Sequence, residues 1–358
     1  MDLSSRRPGP DVVRALAMAG VVMMNYHGYL IARGARRDGA VYDLFDPWTG
    51  PLSTRFAATF VLTAGVGVTL MTRSVTRSMR GDDQRTTDMR WRLVRRGLLL
   101  YAGGLLFDFV WPGTILPFYG AMFVLAAGLF TLRIRWIVMI GAAAALSGWL
   151  IRWWMFERER GRASTSWLTD PGPHSPRGLL FDVVVNGTHP LLPWLAFFCA
   201  GIVLGRFLPH AWWRTAAVGA GFSLFSFATI LNSVAATPRS RLVLSDDPFD
   251  RGLVYVASAL GTALIAFGAI SWVADRFESS AAIDGLRRAG QLSLTIYLGH
   301  ALVFNLAVDW LDLIEPSGVG TALAATALYW LPATAAAVAY QRRYGRGPAE
   351  RIYRRLTA

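Results

Sequence analysis

The sequence of 358 residues contains no lysine, one cysteine and few charged side chains. A single cysteine, Cys199, excludes a disulfide framework and a cysteine-ligated metal site. Charged residues make up 16% of the chain, against about a quarter in soluble globular domains. Hydrophobic residues reach 54%. This composition excludes a disordered chain, a coiled coil and an ordinary cytosolic enzyme.

The net charge of +13 arises from 36 arginines and 23 acidic residues. A charge of that sign and size can attract nucleic acid. The arginines, however, stand in short tracts between apolar runs that are long enough to cross a bilayer. We therefore expect membrane lipids as partners, and no nucleic acid.

Apolar runs dominate the chain, and about 20 mostly apolar residues are enough for one helical span. We predict an all-α, polytopic helical bundle that forms a single transmembrane domain over residues 1–358. The first run ends in polar residues and has no small-residue cleavage pattern, so we expect it to stay in the mature protein. The ten predicted spans are 11–32, 54–72, 97–111, 114–132, 135–154, 189–207, 213–234, 253–274, 292–312 and 319–340.

The placement of arginine predicts the orientation, because cytoplasmic segments retain positive charge. With the N-terminus inside, 24 of the 36 arginines fall in inner segments, together with 9 of the 23 acidic residues. We therefore predict that both termini are cytoplasmic and that the protein lies in the inner, or plasma, membrane. Three outer segments are long, which is typical of a surface that binds a ligand or a partner. They are 33–53, 155–188 and 235–252.

Polar residues lie inside the first predicted span, where each ionisable group is a functional candidate. Asn25 follows Arg14 by eleven residues, which returns to nearly the same helix face about 16 Å further along the axis. His27 is turned by about 200° from Asn25 on an ideal helix. Either His27 faces elsewhere, or the helix ends near Gly28 and the backbone turns. The simpler interpretation makes Arg14 a snorkelling anchor and His27 an interfacial residue.

Other polar residues lie in the later spans. His300 is near the middle of the ninth span, where it either lines a passage or makes a buried hydrogen bond between helices. Asp108 lies in the outer half of the third span and can orient a histidine or pair with an arginine. His189 begins the sixth span, where two nearby prolines can break the helix and expose backbone groups to a cavity. Asp309 is expected to be a solvated residue at an outer end.

The predicted inner face combines arginine with tryptophan. Residues 90–96 read Arg-Trp-Arg-Leu-Val-Arg-Arg. Arginine holds phosphate in a bidentate manner and tryptophan offers a stacking face, so this surface can hold the nucleotide end of coenzyme A. Topology control together with anionic lipid binding is the simpler alternative. The histidines stand far apart in the sequence, so we expect no metal.

Several different short motifs are distributed along nearly the whole chain. Asp11-Val-Val-Arg14 with Asn25-Tyr26 opens the first helix. Together with the segments 55–65, 111–120, 189–206 and 290–300, it resembles the heparan-α-glucosaminide N-acetyltransferase type of membrane protein. This transmembrane acyltransferase type is in turn similar to the acyltransferase-3 family.

The resemblance implies an enzyme that takes an acyl group, acetyl above all, from acyl-CoA on the cytoplasmic side. The acceptor would be a hydroxyl or amine of an envelope glycan or glycolipid on the outer side. In this scheme His27 is the general base, Asp108 orients it, and Asn25 or a tyrosine stabilises the oxyanion. Residues assigned to the coenzyme are Arg14, Arg95, Arg96, Arg206 and Trp91, and those assigned to the substrate channel are Tyr26, Tyr119, His189, Trp194, Tyr297 and His300.

Two other classes stay open at this point. A membrane transporter or a lipid or glycolipid flippase also combines about ten helices with polar groups at mid-depth, and inverted repeats around a central site would favour it. A non-catalytic scaffold would tolerate replacement of His27, Arg14 or His300. The sequence names neither the acceptor nor the assembly, for which a homodimer is one option.

Overall fold

The computed structural model describes residues 8–77, 83–172 and 175–357. Within these ranges the protein is α-helical without a strand, which confirms the predicted fold class of an all-α bundle. A helix stands at each of the ten predicted spans. These helices are α1 (Gly9–Ala32), α3 (Arg55–Arg77), α4 (Asp83–Asp108), α5 (Leu116–Leu129), α6 (Ile134–Arg160), α9 (Leu191–Phe207), α10 (Trp213–Ser233), α12 (Leu253–Arg276), α14 (Ser293–Phe304) and α15 (Val319–Tyr344).

Shorter helices occupy the connecting segments. The three long outer segments contain four of them, and two more, α13 and α16, lie in segments with no predicted element. π-helical turns follow α8 at Asp182–Asn186 and α14 at Asn305–Trp310. The short helices are α2 (Ala40–Phe45), α7 (Ser166–Thr169), α8 (Pro176–Phe181), α11 (Pro238–Leu244), α13 (Ala281–Gln291) and α16 (Pro348–Leu356).

The predicted count of ten spans is not supported by helix length and composition. In the described ranges six helices are long and apolar enough to cross a membrane, or eight if each of two bent helix pairs forms one span. Two helices at predicted spans do not meet this criterion. The first half of α4 is the arginine-rich tract, and α5 has only 14 residues. Residues 1–7 and 358 lie outside the described ranges, so the cytoplasmic placement of both termini stays a prediction.

The chain forms two compact units. The first comprises Met1–Thr63, Arg214–Phe222 and Thr262–Arg355, and the second comprises Ala64–Trp213, Ser223–Gly261 and Leu356–Ala358. The assignment of residues 1–358 to a single functional domain stays a prediction.

In the first unit, α1 packs against α13, α14 and α15. The contact with α13 is especially close at Gly290, where a Cβ would lie 1.9 Å from the Asp11 carbonyl oxygen. At Gly20, a Cβ would lie 2.1 Å from the Phe56 ring. Helices in a membrane associate by such close approach, which small residues permit.

In the second unit, α4 packs along α5, and α6 packs along α9. Glycine again sets the spacing, because a Cβ at Gly97 would lie 2.5 Å from the Gly120 carbonyl oxygen. On the other pair, a Cβ at Gly141 would lie 3.0 Å from the Cβ of Cys199. The single cysteine is thus a buried packing residue of α9.

Candidate active site

His27 lies in the interior of α1, which continues as one helix to Ala32. The helix therefore does not end at Gly28. Of the two predicted alternatives, the structure contains the one in which His27 faces away from Asn25. The imidazole is 0% exposed, and its Nδ1 donates a hydrogen bond to the Phe45 carbonyl oxygen at 2.8 Å. This contact fixes the proton of the neutral ring on Nδ1 and leaves a lone pair on Nε2. Nε2 is buried and has no hydrogen-bond partner among the described residues.

The segment 33–53 holds the partner of His27 in place. Phe45 ends α2, and the Tyr42 ring of the same helix stands edge-on to the imidazole at 5.4 Å between centroids. The next residue, Asp46, accepts hydrogen bonds from the Trp48 amide at 2.9 Å and the Thr49 hydroxyl at 2.8 Å. Burial alone would raise the pKa of Asp46, but these hydrogen bonds lower it overall. The turn after Phe45 is therefore rigidly closed.

A second contact holds the start of this segment. The Arg33 guanidinium donates to both carboxylate oxygens of Asp309, at 2.5 and 2.6 Å. Asp309 is exposed, as expected for a solvated residue, and it also forms this ion pair. Bidentate pairs of this kind are among the stronger hydrogen-bonded contacts available to a side chain.

A polar cluster joins α1 to α14. The Asn25 amide donates to Nε2 of His300 at 3.2 Å, and Nδ1 of His300 donates to the Tyr297 carbonyl oxygen. The Tyr26 hydroxyl donates to the His300 carbonyl oxygen at 2.9 Å. His300 is 0% exposed with both ring nitrogens engaged. Of its two predicted alternatives, the hydrogen bond between helices is the one that the structure contains.

Arg14 lies one turn above Asp11, whose carboxylate is 3.9 Å away. Asp11 is buried and accepts a hydrogen bond from the Gln291 amide of α13 at 2.9 Å. Arg14 therefore belongs to a polar group between α1 and α13, with its side chain only 21% exposed.

The second unit holds the predicted coenzyme residues other than Arg14. Arg206 donates through its two terminal nitrogens to the Leu132 and Phe130 carbonyl oxygens, at 2.7 and 2.9 Å, so it closes the end of α5. A cavity of about 320 Å³ lies beside it, bordered by Arg133. On α4, Trp91 is 59% exposed and the Arg96 guanidinium contacts the Met71 sulfur.

Four further predicted residues lie in this second unit. Asp108 accepts a hydrogen bond from the Gly113 amide at 2.8 Å and so closes the turn between α4 and α5. The His189 ring stands edge-on to Trp194 at 4.5 Å between centroids. Tyr119 is buried in α5.

The predicted site residues thus fall into two sets. Asp108 is in a different unit from His27, and the Phe45 carbonyl performs the orienting role at Nδ1 that sequence reasoning assigned to Asp108. Phe45 was not predicted from the sequence, although Asp46 with Trp48 and Thr49 has the composition of a side-chain-capped turn. The first unit contains Arg14, Asn25, Tyr26, His27, Tyr297 and His300, and the second contains Trp91, Arg95, Arg96, Asp108, Tyr119, His189, Trp194 and Arg206.

Another missed residue is Arg251. Its guanidinium donates to the carbonyl oxygens of Val185, Asn186 and Gly187, the last at 2.7 Å. It therefore holds the turn that leads to His189. Burial lowers the pKa of Arg251 to about 10, and the nearby Arg152 acts in the same direction.

Comparison with known families now identifies the chain. Residues 6–234 match the family model described as heparan-alpha-glucosaminide N-acetyltransferase, catalytic. The protein belongs to this family. Residues 195–358 also match a model described as a protein of unknown function (DUF418). The resemblance inferred from the sequence is therefore confirmed, and it supports acetyltransferase-like chemistry in a multi-pass membrane protein.

A curated relative has a different description. The Na(+)/H(+) antiporter NhaA of Nocardia farcinica is 29% identical over 240 residues, which is 62% of this chain and 52% of that protein. The chain thus spans about half the length of the curated relative it matches.

Proposed function

We propose that the protein transfers an acyl group, acetyl above all, from acyl-CoA on the cytoplasmic side of the inner membrane. The acceptor is a hydroxyl or amine of an envelope glycan or glycolipid on the outer side. The observation that carries this proposal is the buried His27. Its Nδ1–H is held by the Phe45 carbonyl, while its Nε2 has no hydrogen-bond partner among residues 8–77, 83–172 and 175–357.

His27 has the geometry of a general base. Its Nε2 takes the proton of the acceptor hydroxyl as the oxygen attacks the thioester carbonyl carbon. The bond from carbon to sulfur then breaks, and the imidazolium returns the proton to the leaving thiolate. The Phe45 carbonyl stabilises the imidazolium between these steps, since it accepts from Nδ1–H. A buried site also holds both reactants together and away from bulk water.

The oxyanion role of Asn25 stays a prediction. The Asn25 amide donates to His300 in this structure. For Asn25 to serve a tetrahedral oxyanion, that hydrogen bond must be exchanged for one to the substrate oxygen.

On the donor side, the proposal relies on Trp91, Arg95 and Arg96 of α4. The exposed indole offers a stacking face for the adenine, and the guanidiniums offer bidentate contacts to phosphate. Arg206 supports this region from within, because two of its nitrogens already hold the end of α5.

Replacing Arg95 with alanine is expected to weaken acyl-CoA binding about tenfold, because one charge-assisted contact to phosphate is worth about 1.5 kcal/mol or more. The dissociation constant is measured by calorimetric titration of a non-hydrolysable acyl-CoA analogue into purified protein. Arg135→Ala is the matched control, since Arg135 lies outside the 90–96 tract and stacks on Trp136. An unchanged constant in Arg95→Ala and Arg96→Ala would assign these arginines to topology alone.

The overall activity is tested by incubating the purified protein with acetyl-CoA labelled in the acetyl group and a glycolipid extract of bacterial envelopes. Labelled lipid and stoichiometric free thiol are the expected products. Release of free thiol with label recovered only as acetate would indicate hydrolysis, and no consumption of acetyl-CoA with any extract would contradict the proposal.

A cation antiporter is the second candidate. It is favoured by the antiporter relative and by the two bent helix pairs, since broken helices line ion sites in secondary transporters. Proteoliposomes with an imposed pH gradient test this function. Dissipation of the gradient on addition of Na⁺, without acetyl transfer, would support the antiporter in place of the enzyme.

A further inference from the structure

One cavity lies within the second unit and is lined by residues that the proposed reaction does not use. It has a volume of about 680 Å³ and is formed by the ends of α6 and α10, by α11 and by the loop that follows α11. All of these elements border the predicted outer segments. Cavities that bind small molecules commonly measure about 300–1,000 Å³.

Charged groups of both signs line this cavity. Arg152 and Arg241 face three carboxylates, and in the described part of the chain none of these five residues is in an ion pair. The Nε of Arg152 is buried and has no hydrogen-bond partner among the described residues. The lining carboxylates and amide are Glu159, Asp247, Asp250 and Asn232.

Two of the three carboxylates accept hydrogen bonds from their own neighbours. Asp247 accepts a hydrogen bond from the Phe249 amide at 2.8 Å, and Glu159 accepts one from the Thr165 hydroxyl at 3.2 Å. Burial raises the pKa of Asp247, and the neighbouring carboxylates of Asp250 and Asp246 act in the same direction. The remaining oxygen lone pairs can accept hydrogen bonds from a ligand.

The walls of the cavity are also preformed. The Trp149 indole donates to the Leu242 carbonyl oxygen at 3.0 Å, which ties α11 to α6. The Asn232 side chain accepts from the Asp246 amide at 3.1 Å, which ties the loop to α10. Rigid walls reduce the entropy that is lost when a ligand binds.

We propose that this cavity binds an uncharged saccharide unit. Guanidinium groups and an amide supply donors, carboxylates supply acceptors, and a sugar ring presents hydroxyls that can act as either. The nearly balanced charge disfavours a polyanion, and the polar lining disfavours an acyl chain. The inference rests on the proposed function in one respect: the saccharide would belong to the glycan acceptor.

Maltose is the probe for a direct test. The full chain is placed in nanodiscs of glycolipid-free phospholipid, because maltoside detergents would compete, and maltose is titrated calorimetrically. We expect saturable binding that Arg152→Met weakens at least tenfold, since methionine keeps the bulk of the stem and removes the donors. Arg241→Gln, at an exposed position, is a second variant with little effect on folding. Arg160→Met, on the same helix but outside the cavity, is the control.

Three results would overturn the inference. The first is that the unmodified chain shows no saturable maltose binding. The second is that Arg152→Met and Arg241→Gln bind maltose as tightly as the unmodified chain. The third is that glucosamine binds more tightly than maltose and that Asp247→Asn abolishes this binding. The last would mark a site for a cation.

The outcome is separable from that of the enzyme proposal. His27→Gln should keep maltose binding whatever its effect on acetyl transfer. If acetyl transfer is never found but maltose binds through Arg152, the saccharide site stands and the catalytic proposal fails.

Discussion

Replacement of His27 by glutamine is expected to reduce acetyl transfer by about 10²- to 10⁴-fold, the usual contribution of a positioned general base. The glutamine amide can still donate to the Phe45 carbonyl oxygen in place of Nδ1, so the packing beneath segment 33–53 is kept. The amide has no basic lone pair to replace that of Nε2. The initial rate of label transfer to glycolipid checks this expectation.

His210→Gln provides the matched control, because His210 is an exposed histidine on the connection between α9 and α10. Its rate should equal that of the unmodified protein. Circular dichroism and the elution volume of His27→Gln should also be unchanged. Undiminished transfer by a well-folded His27→Gln protein would remove His27 from the mechanism.

Replacement of Gly290 by alanine is expected to have the largest effect on stability. The new Cβ would lie 1.9 Å from the carbonyl oxygen and 2.7 Å from the carbonyl carbon of Asp11, and both are backbone atoms that cannot rotate away. Helices α1 and α13 must then separate, which also strains the hydrogen bond from Gln291 to Asp11. We expect a loss of about 3 kcal/mol, at the upper end for an overpacked core, despite the better helix propensity of alanine.

Thermal unfolding in nanodiscs measures this effect as a fall of about 4 °C in the midpoint. Gly285→Ala on the same helix is the control. Its Cβ would meet the Thr334 methyl at 3.5 Å, which is an ordinary contact. Its midpoint should stay level or rise. Equal midpoints for the two variants would mean that the approach of α13 to α1 is not a constraint.

The positions of the long helices could be predicted from the sequence, because apolar runs of bilayer length leave the backbone few alternatives to a helix. For example, the span predicted at 253–274 is α12 (Leu253–Arg276). Helix α13 was missed because its polarity, with Asp284, Arg287 and Arg288, is that of a loop. Those three side chains satisfy one another on the helix surface, Asp284 accepting from both arginines.

The candidate site could be predicted only in part. The polar residues of α1 were recognised because each is costly in an apolar helix, and His27 was among them. Its partner is a backbone carbonyl, and a carbonyl has no signature in a sequence. Likewise, helical periodicity places Asn25 and Arg14 on one face, but it does not show that Asn25 meets His300, some 275 positions away.

The contacts of segment 33–53 have a consequence for the proposed reaction. Nε2 of His27 is buried, and the segment beside the ring is held at Arg33 by Asp309 and at Phe45 by the imidazole itself. If His27 acts as the proposed base, an acceptor can reach Nε2 only after local opening around the ring, and a thioester bound beside it would be shielded from hydrolysis. The rate of this opening would then limit turnover. Breaking the ion pair between Arg33 and Asp309 would increase the fraction of thioester that is hydrolysed to acetate instead of transferred to the acceptor.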